Sequence, residues 1–167
     1  MSSPIDLPKD VLADPRHEAL SKLLGTTSGL LWEKGRVPVA TLPVTPALAA
    51  ELGQALTAGL ACQGLELAAE KLGAEQKGLD AVARKDPAAA GKARISRVLF
   101  IAGDGSTRFH RDAEALLVRY SQRLLGVRLD TTGEALGEAL FGAPKLVRAV
   151  LVVDKRAAAR ALLSLVG

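Results

Sequence analysis

Residues 96–104, Ser-Arg-Val-Leu-Phe-Ile-Ala-Gly-Asp, constrain this chain more than any other stretch. Val98 to Ile101 are four consecutive apolar residues of high strand propensity, and Gly103-Asp104-Gly105 stops the run, which is the form of a strand buried on both faces. A second run, Ala149-Val-Leu-Val-Val153, has the same form between Arg148 and Asp154. Each is followed by a helical pattern. The chain beyond about residue 75 therefore reads as strand–helix alternation, and the expected fold class is α/β: a three-layer α/β/α sandwich with a small mixed sheet, preceded by a mainly helical N-terminal region.

With 167 residues, 49% of them apolar, there is material for one ordinary core. Cys62 is the only cysteine, which excludes a disulfide framework or a cysteine metal cluster within one chain, and His17 and His110 are too far apart to form a local metal-ligand pair. A cytoplasmic address is expected. No apolar run approaches the roughly 18–20 residues of a membrane span, and the N-terminus lacks the basic-then-apolar order of a signal peptide. The charge is uneven: residues 1–66 carry five Lys/Arg and seven Asp/Glu, whereas 67–167 carry 17 and 11. The basic surplus sits with the expected sheet and is compatible with a polyanionic partner. Trp32, Phe100, Phe109, Tyr120 and Phe141 are too few and too scattered for a platform that stacks single-stranded bases.

Taken in order, residues 1–13 hold two prolines and no long period and are expected to be a loose arm. Asp14-Pro15 signals a short helix that Gly25 ends, and residues 30–40 resemble a hairpin whose second arm Pro38 confines to an edge. Residues 1–45 thus form an N-terminal arm with a hairpin and have no assigned role. Thr45-Pro46 opens a long helix over 46–73, striped by Leu48, Leu52, Leu56, Leu60, Leu65, Leu67 and Leu72, with a bend at Gly59 or Gly64. Cys62 falls on it as a small packing residue. Gly73 closes that helix, and 74–167 form the α/β domain. Gly78 begins a short helix over 79–84, and 86–91 read as a loop or extra helical turn. Ser106 or Thr107 caps a helix with Ala113, Leu116, Leu117, Tyr120 and Leu124 at helical spacing; residues 127–129 are a short strand; and Thr131 with Glu134 forms a capping box. Asp154 caps the last helix.

Two readings fit Asp104. With Gly103, Gly105 and Ser106 it can contact a phosphate at a strand end, or it can serve a plain strand-to-helix turn, and the second is favoured because neither a Walker-type lysine nor Gly-x-Gly-x-x-Gly follows. Arg108, His110 and Arg111 point in different directions and read as a partly solvated basic cluster. No nucleophile, base and orienter stand at a catalytic spacing, so no catalytic residue, metal or cofactor is expected.

From Gly64 onward the order of features resembles the kink-turn-binding ribosomal-protein superfamily, in its bacterial YlxQ-like branch. Residues 64–74 are similar to the helix that leads into that module. Lys77-Gly78-Leu-Asp-Ala-Val82 resembles the glycine turn and helix start that touch the RNA kink, residues 99–106 its central strand with the Ala-x-Asp ending, 126–137 its short strand and Glu-x-Leu-Gly helix, and 146–154 its last strand. Leu79-Asp80 stands where the family has an RNA-contacting Asn-Glu pair, and the segment 83–97 is longer than the family's. What the resemblance implies is a non-catalytic protein that binds structured RNA and is associated with the ribosome or translation. The implied contacts are Lys77, Gly78, Arg84, Lys85, Lys92 and Arg94 on one side and Phe141, Gly142 and Lys145 on the other. The alternative expectation is an interaction adaptor or homodimer that uses the leucine-striped helix 46–72 and has no RNA partner.

Overall fold

The computed structural model describes residues 6–90 and 93–166. In chain order the elements are α1 (Lys9–Leu12), α2 (His17–Thr26), β1 (Ser28–Leu30), β2 (Pro38–Leu42), α3 (Pro46–Thr57), β3 (Ala61–Gln63), α4 (Leu65–Lys85), a 3₁₀ turn (Pro87–Ala90), β4 (Arg97–Ala102), α5 (Thr107–Arg119), β5 (Leu124–Leu129), α6 (Gly133–Phe141), β6 (Ala149–Val152) and α7 (Lys155–Leu163). The strands form one mixed sheet in the order β1-β2-β5-β4-β6-β3. β4 pairs in parallel with β5, from Arg97 opposite Leu124 to Ala102 opposite Leu129, and antiparallel with β6, from Val98 opposite Val152 to Ile101 opposite Ala149.

Because strand side chains alternate, β4 divides its apolar run between two layers. Val98, Phe100 and Ala102 enter a core built with α1, α2, α3, α6 and α7, while Leu99 and Ile101 enter one built with α4 and α5. All five are fully buried, which explains a run with no polar interruption. The expected α/β sandwich is therefore present, with helices on both faces. Gly126 on β5 permits the approach of α5, since a Cβ there would lie 2.6 Å from Leu117 Cδ1.

The N-terminal region differs from the reading of the sequence. β1, β2 and β3 all come from the first 63 residues, so half the strands of the sheet precede the expected α/β domain. The hairpin is there, Leu30 opposite Pro38, but its second arm is not an edge: β2 lies between β1 and β5. Pro38 is tolerated because the parallel ladder to β5 begins only at Ala40. Nor are residues 6–13 loose. Val11 is fully buried in the core beside α7, and Asp6 makes a strand bridge to Arg94.

The single helix over 46–73 is two helices separated by a strand. Gly59 and Gly64 adopt φ of 75° and 93°, a region glycine enters without the steric penalty of a Cβ, and between them β3 crosses to the far edge of the sheet. Leu48 and Leu52 are buried in one core and Leu72 in the opposite one, so the stripe is divided between two sides of the sheet, with Leu67 about half exposed. Cys62 lies on β3, opposite Leu151, not on a helix. α4 then continues through Gly73 and Gly78 to Lys85 as one helix of 21 residues, where two were expected. The cap of α6 is Thr132, whose hydroxyl accepts the Ala135 N–H at 3.0 Å, one residue later than expected.

Candidate nucleic-acid interface

β4 and β5 begin at the same end of the sheet, and the chain brings most of its basic segments there. β6 ends opposite the start of β4, so α7 starts at that end; α5 finishes there before β5; and α4 reaches it at Glu75. The Glu75 carboxylate accepts from Arg123 Nη1 at 2.6 Å and Arg97 Nε at 3.1 Å, while Arg123 Nη2 donates to the Leu72 carbonyl at 3.0 Å and its guanidinium lies over the Tyr120 ring at 5.3 Å. This bridge fixes α4 to the starts of β4 and β5. The residues beyond it project past the sheet edge, and that half of α4 exposes Leu79 and Val82 at about half their surface.

Two concavities flank the segment 94–96. A cleft of about 580 Å³ lies between the projecting half of α4, with Gln76, Leu79, Asp80 and Val82, and the turn carrying Arg119, Tyr120 and Arg123. A smaller cavity of about 250 Å³ lies between α1 and α7, lined by Lys9, Asp10, Lys155 and Arg156. Arg94 and Ser96 line both. Arg94 is held by donating to the Leu7 carbonyl at 2.9 Å, and its guanidinium is 3.8 Å from the Asp6 carboxylate. Lys9, Arg119, Lys155 and Arg156 pair with no carboxylate among the described residues, and neither do Lys77, Arg84 and Lys85 along α4.

Of the contacts implied by the resemblance, Arg94 lines both of these concavities. Lys77, Gly78, Arg84 and Lys85 are exposed on α4, and Lys92 lies outside the described residues. Phe141, Gly142 and Lys145 belong to the opposite helical layer, with the sheet between them and α4, so the two segments do not meet. The 142–146 loop is exposed, with its backbone close on α6: a Cβ on Gly137 would lie 1.6 Å from the Lys145 carbonyl oxygen, and Lys145 Nζ sits 4.3 Å from the Phe141 ring centre. Sequence reasoning missed Lys9, Arg119, Lys155 and Arg156. Their only signal was charge, and they assemble from segments far apart in the chain.

Asp104 proves to be a fastener. Its Oδ1 accepts the Gly133 N–H at the start of α6 at 2.9 Å and lies 3.6 Å from Arg148 Nε. His110 is buried, not solvated, and its Nε2 faces the Ala102 carbonyl at 3.1 Å; since a carbonyl only accepts, the proton sits on Nε2. The buried carboxylate the sequence did not flag is Glu114. It accepts from Trp32 Nε1 at 2.7 Å, the Arg36 N–H at 2.7 Å and the Val37 N–H at 2.8 Å, clamping the β1–β2 loop to α5. Burial pushes the Glu114 carboxyl up, but the bonds from Val37, Trp32 and Arg36 with the Arg36 charge outweigh it, and the group is held below its ordinary value. Burial raises the Cys62 thiol, so it is a poor nucleophile. Among the described residues no group of three or more His, Cys, Asp or Glu is placed to hold a metal ion, and no helix is long and apolar enough to cross a membrane. No protein-family model matches the chain, and no curated protein matches it significantly.

Proposed function

We propose that this protein is a non-catalytic RNA-binding module that takes structured RNA at the end of the sheet where β4 begins. The observation that supports it is the lining of the two concavities around Arg94: six basic side chains, Lys9, Arg94, Arg119, Arg123, Lys155 and Arg156, against the carboxylates of Asp10 and Asp80, with Asp6 beside Arg94 and Glu75 on Arg123. Lys77, Arg84 and Lys85 extend the basic surface along the projecting half of α4. Concave surfaces carrying one sign of charge focus the field and attract polyanions, and phosphate contacts dominate affinity for nucleic acid. The order of motifs from Gly64 onward favours RNA over other polyanions. A role associated with the ribosome or translation follows from that resemblance alone and belongs to this proposal.

The test is a titration of structured RNA against the protein at two salt concentrations. Neutralising several phosphates makes affinity fall by about tenfold or more between about 50 and 200 mM salt. Arg119→Glu with Lys85→Glu abolishes the binding with the melting temperature unchanged, whereas Lys145→Glu, in the opposite layer, leaves it within about twofold. Absence of any salt-sensitive binding overturns the reading.

A further inference from the structure

The smaller of the two cavities has properties that general attraction to a polyanion does not require. Its base is apolar: Pro8 and Ile95 are buried, and the burial of Val11 in the core anchors α1 against α7. Four cations line it, Lys9, Arg94, Lys155 and Arg156. The acids within reach are Asp10, which also lines it, and Asp6, which lies 3.8 Å from Arg94, so the site retains a surplus of two positive charges. Asp154, next to Lys155, does not line the cavity; its carboxylate keeps its charge and accepts the Ala157 N–H at 2.9 Å as the cap of α7. Ser96 lines this cavity as well as the cleft, and its hydroxyl bonds no other described side chain or carbonyl.

Size selects the ligand. A volume of about 250 Å³ is below the roughly 300–1,000 Å³ of sites for drug-sized molecules, and a nucleic-acid duplex cannot enter it. A phosphate with its sugar can. A phosphomonoester near neutral pH carries between one and a half and two negative charges, roughly, which matches the surplus of the site, whereas an internal phosphodiester carries one and must bring chain in and out on both sides. We infer that the cavity between α1, α7 and residues 94–96 is a phosphomonoester site. It deepens the RNA reading, resting on it for the source of the ligand: the monoester is the terminal phosphate of an RNA whose body lies along the cleft and α4, so the protein distinguishes a phosphorylated end from a hydroxyl end.

The experiment compares one structured RNA prepared with and without a phosphate at its 5′ end, and likewise at its 3′ end, together with inorganic phosphate alone. A phosphorylated end binds at least about tenfold more tightly than the hydroxyl end, the size of one or two charge-assisted hydrogen bonds. Lys155→Gln with Arg156→Gln removes that ratio. Arg119→Gln, in the other concavity, weakens both RNAs alike and leaves the ratio intact, so selectivity for the end is separated from attraction to the backbone. Inorganic phosphate raises the melting temperature of the native protein above that in chloride of equal ionic strength, and not that of the double variant. If RNA binds and the ratio is one at both ends while phosphate has no effect, the inference is overturned and the RNA reading survives. If no RNA binds but phosphate stabilises the native protein alone, the RNA reading fails and the site stands with a small phosphomonoester as its ligand. If neither binds, both are overturned.

Discussion

Where β4 stops, the polar groups at the strand end face one another; where it starts, several cations are left without a carboxylate partner among the described residues. At the first end Asp104 joins three segments, accepting from the first N–H of α6 and lying beside Arg148, and Arg128 donates to the carbonyls of Gly103 at 3.2 Å and Leu30 at 3.4 Å. Arg108 and Arg111 at the start of α5 stay exposed, but the charged groups nearest the strand end are engaged in holding the chain. At the second end Glu75 holds Arg97 and Arg123, and Lys9, Arg119, Lys155 and Arg156 remain without carboxylate partners among the described residues. Charged side chains left unpaired around concave surfaces contribute little to stability and are available for a ligand. Substitutions at the end where β4 stops should therefore cost stability without touching binding, and those of the unpaired cations where it starts should do the reverse.

The most severe break concerns the loop packed behind the Asp104 end. Gly137→Ala puts a Cβ into the Lys145 backbone, which cannot move as a side chain would, and the expected cost is about 3 kcal/mol or more in denaturant unfolding. A destabilisation below about 1 kcal/mol would show that α6 and the loop are not packed together. The Glu114 clamp holds the loop before β2, on the end where β4 starts, but lines neither concavity and serves as an independent control. Glu114→Ala leaves three donors of the 32–37 loop without their acceptor, costs about 2–4 kcal/mol, and shifts Trp32 emission toward that of a solvated indole. Its pH dependence has a defined sign. The folded carboxyl titrates below its ordinary value of 4.5, so its contribution is complete above that value and is lost as pH falls through the lower folded value. Acid titration of Trp32 emission should report this loss, and Glu114→Gln should flatten it.

A smaller effect is expected at Asp104. Asp104→Ala removes the acceptor of the Gly133 N–H and the neighbour of Arg148, at about 1–2 kcal/mol, with RNA affinity unchanged; Asp104→Asn, which keeps an acceptor, costs less. A drop in RNA affinity at full stability would instead return this strand end to the binding surface. The smallest stability effect is at the opposite end. Arg119→Ala with Lys85→Ala changes unfolding by less than about 0.5 kcal/mol while lowering the slope of log affinity against log salt by about two, since each substitution leaves one phosphate without its cation. Equal weakening of stability and binding would erase the contrast between the two ends.

What could be read from the chain alone follows the range of each interaction. Ser106, Thr45 and Asp154 cap helices as expected because a cap is made within three residues, and the runs around Phe100 and Leu151 are strands because burial on both faces admits no polar residue at either parity. The Lys77–Lys85 surface was nameable as charge on a helix, and Arg94 as a basic residue ahead of the central strand. Leu48 and Leu72 were not assignable to opposite cores, since their spacing is continuous and only the positive φ of Gly59 and Gly64, together with pairing of β3 to β6, carries them apart. The partners of Glu114 lie 77 to 82 residues away and those of Asp104 29 away or more, beyond any local pattern.

By itself, then, the sequence determined the α/β class, the two central strands, the principal caps and the fact of a basic surplus, because these depend on side-chain volume, polarity and bonds between near neighbours. Only the tertiary structure decided where that surplus is concentrated. Lys9, Arg94, Arg119 and Lys155 gather around two concavities because the strand order brings the ends of α1, α5, β6 and the approach to β4 to one end of the sheet, and strand order is set by packing between segments that are remote in the chain.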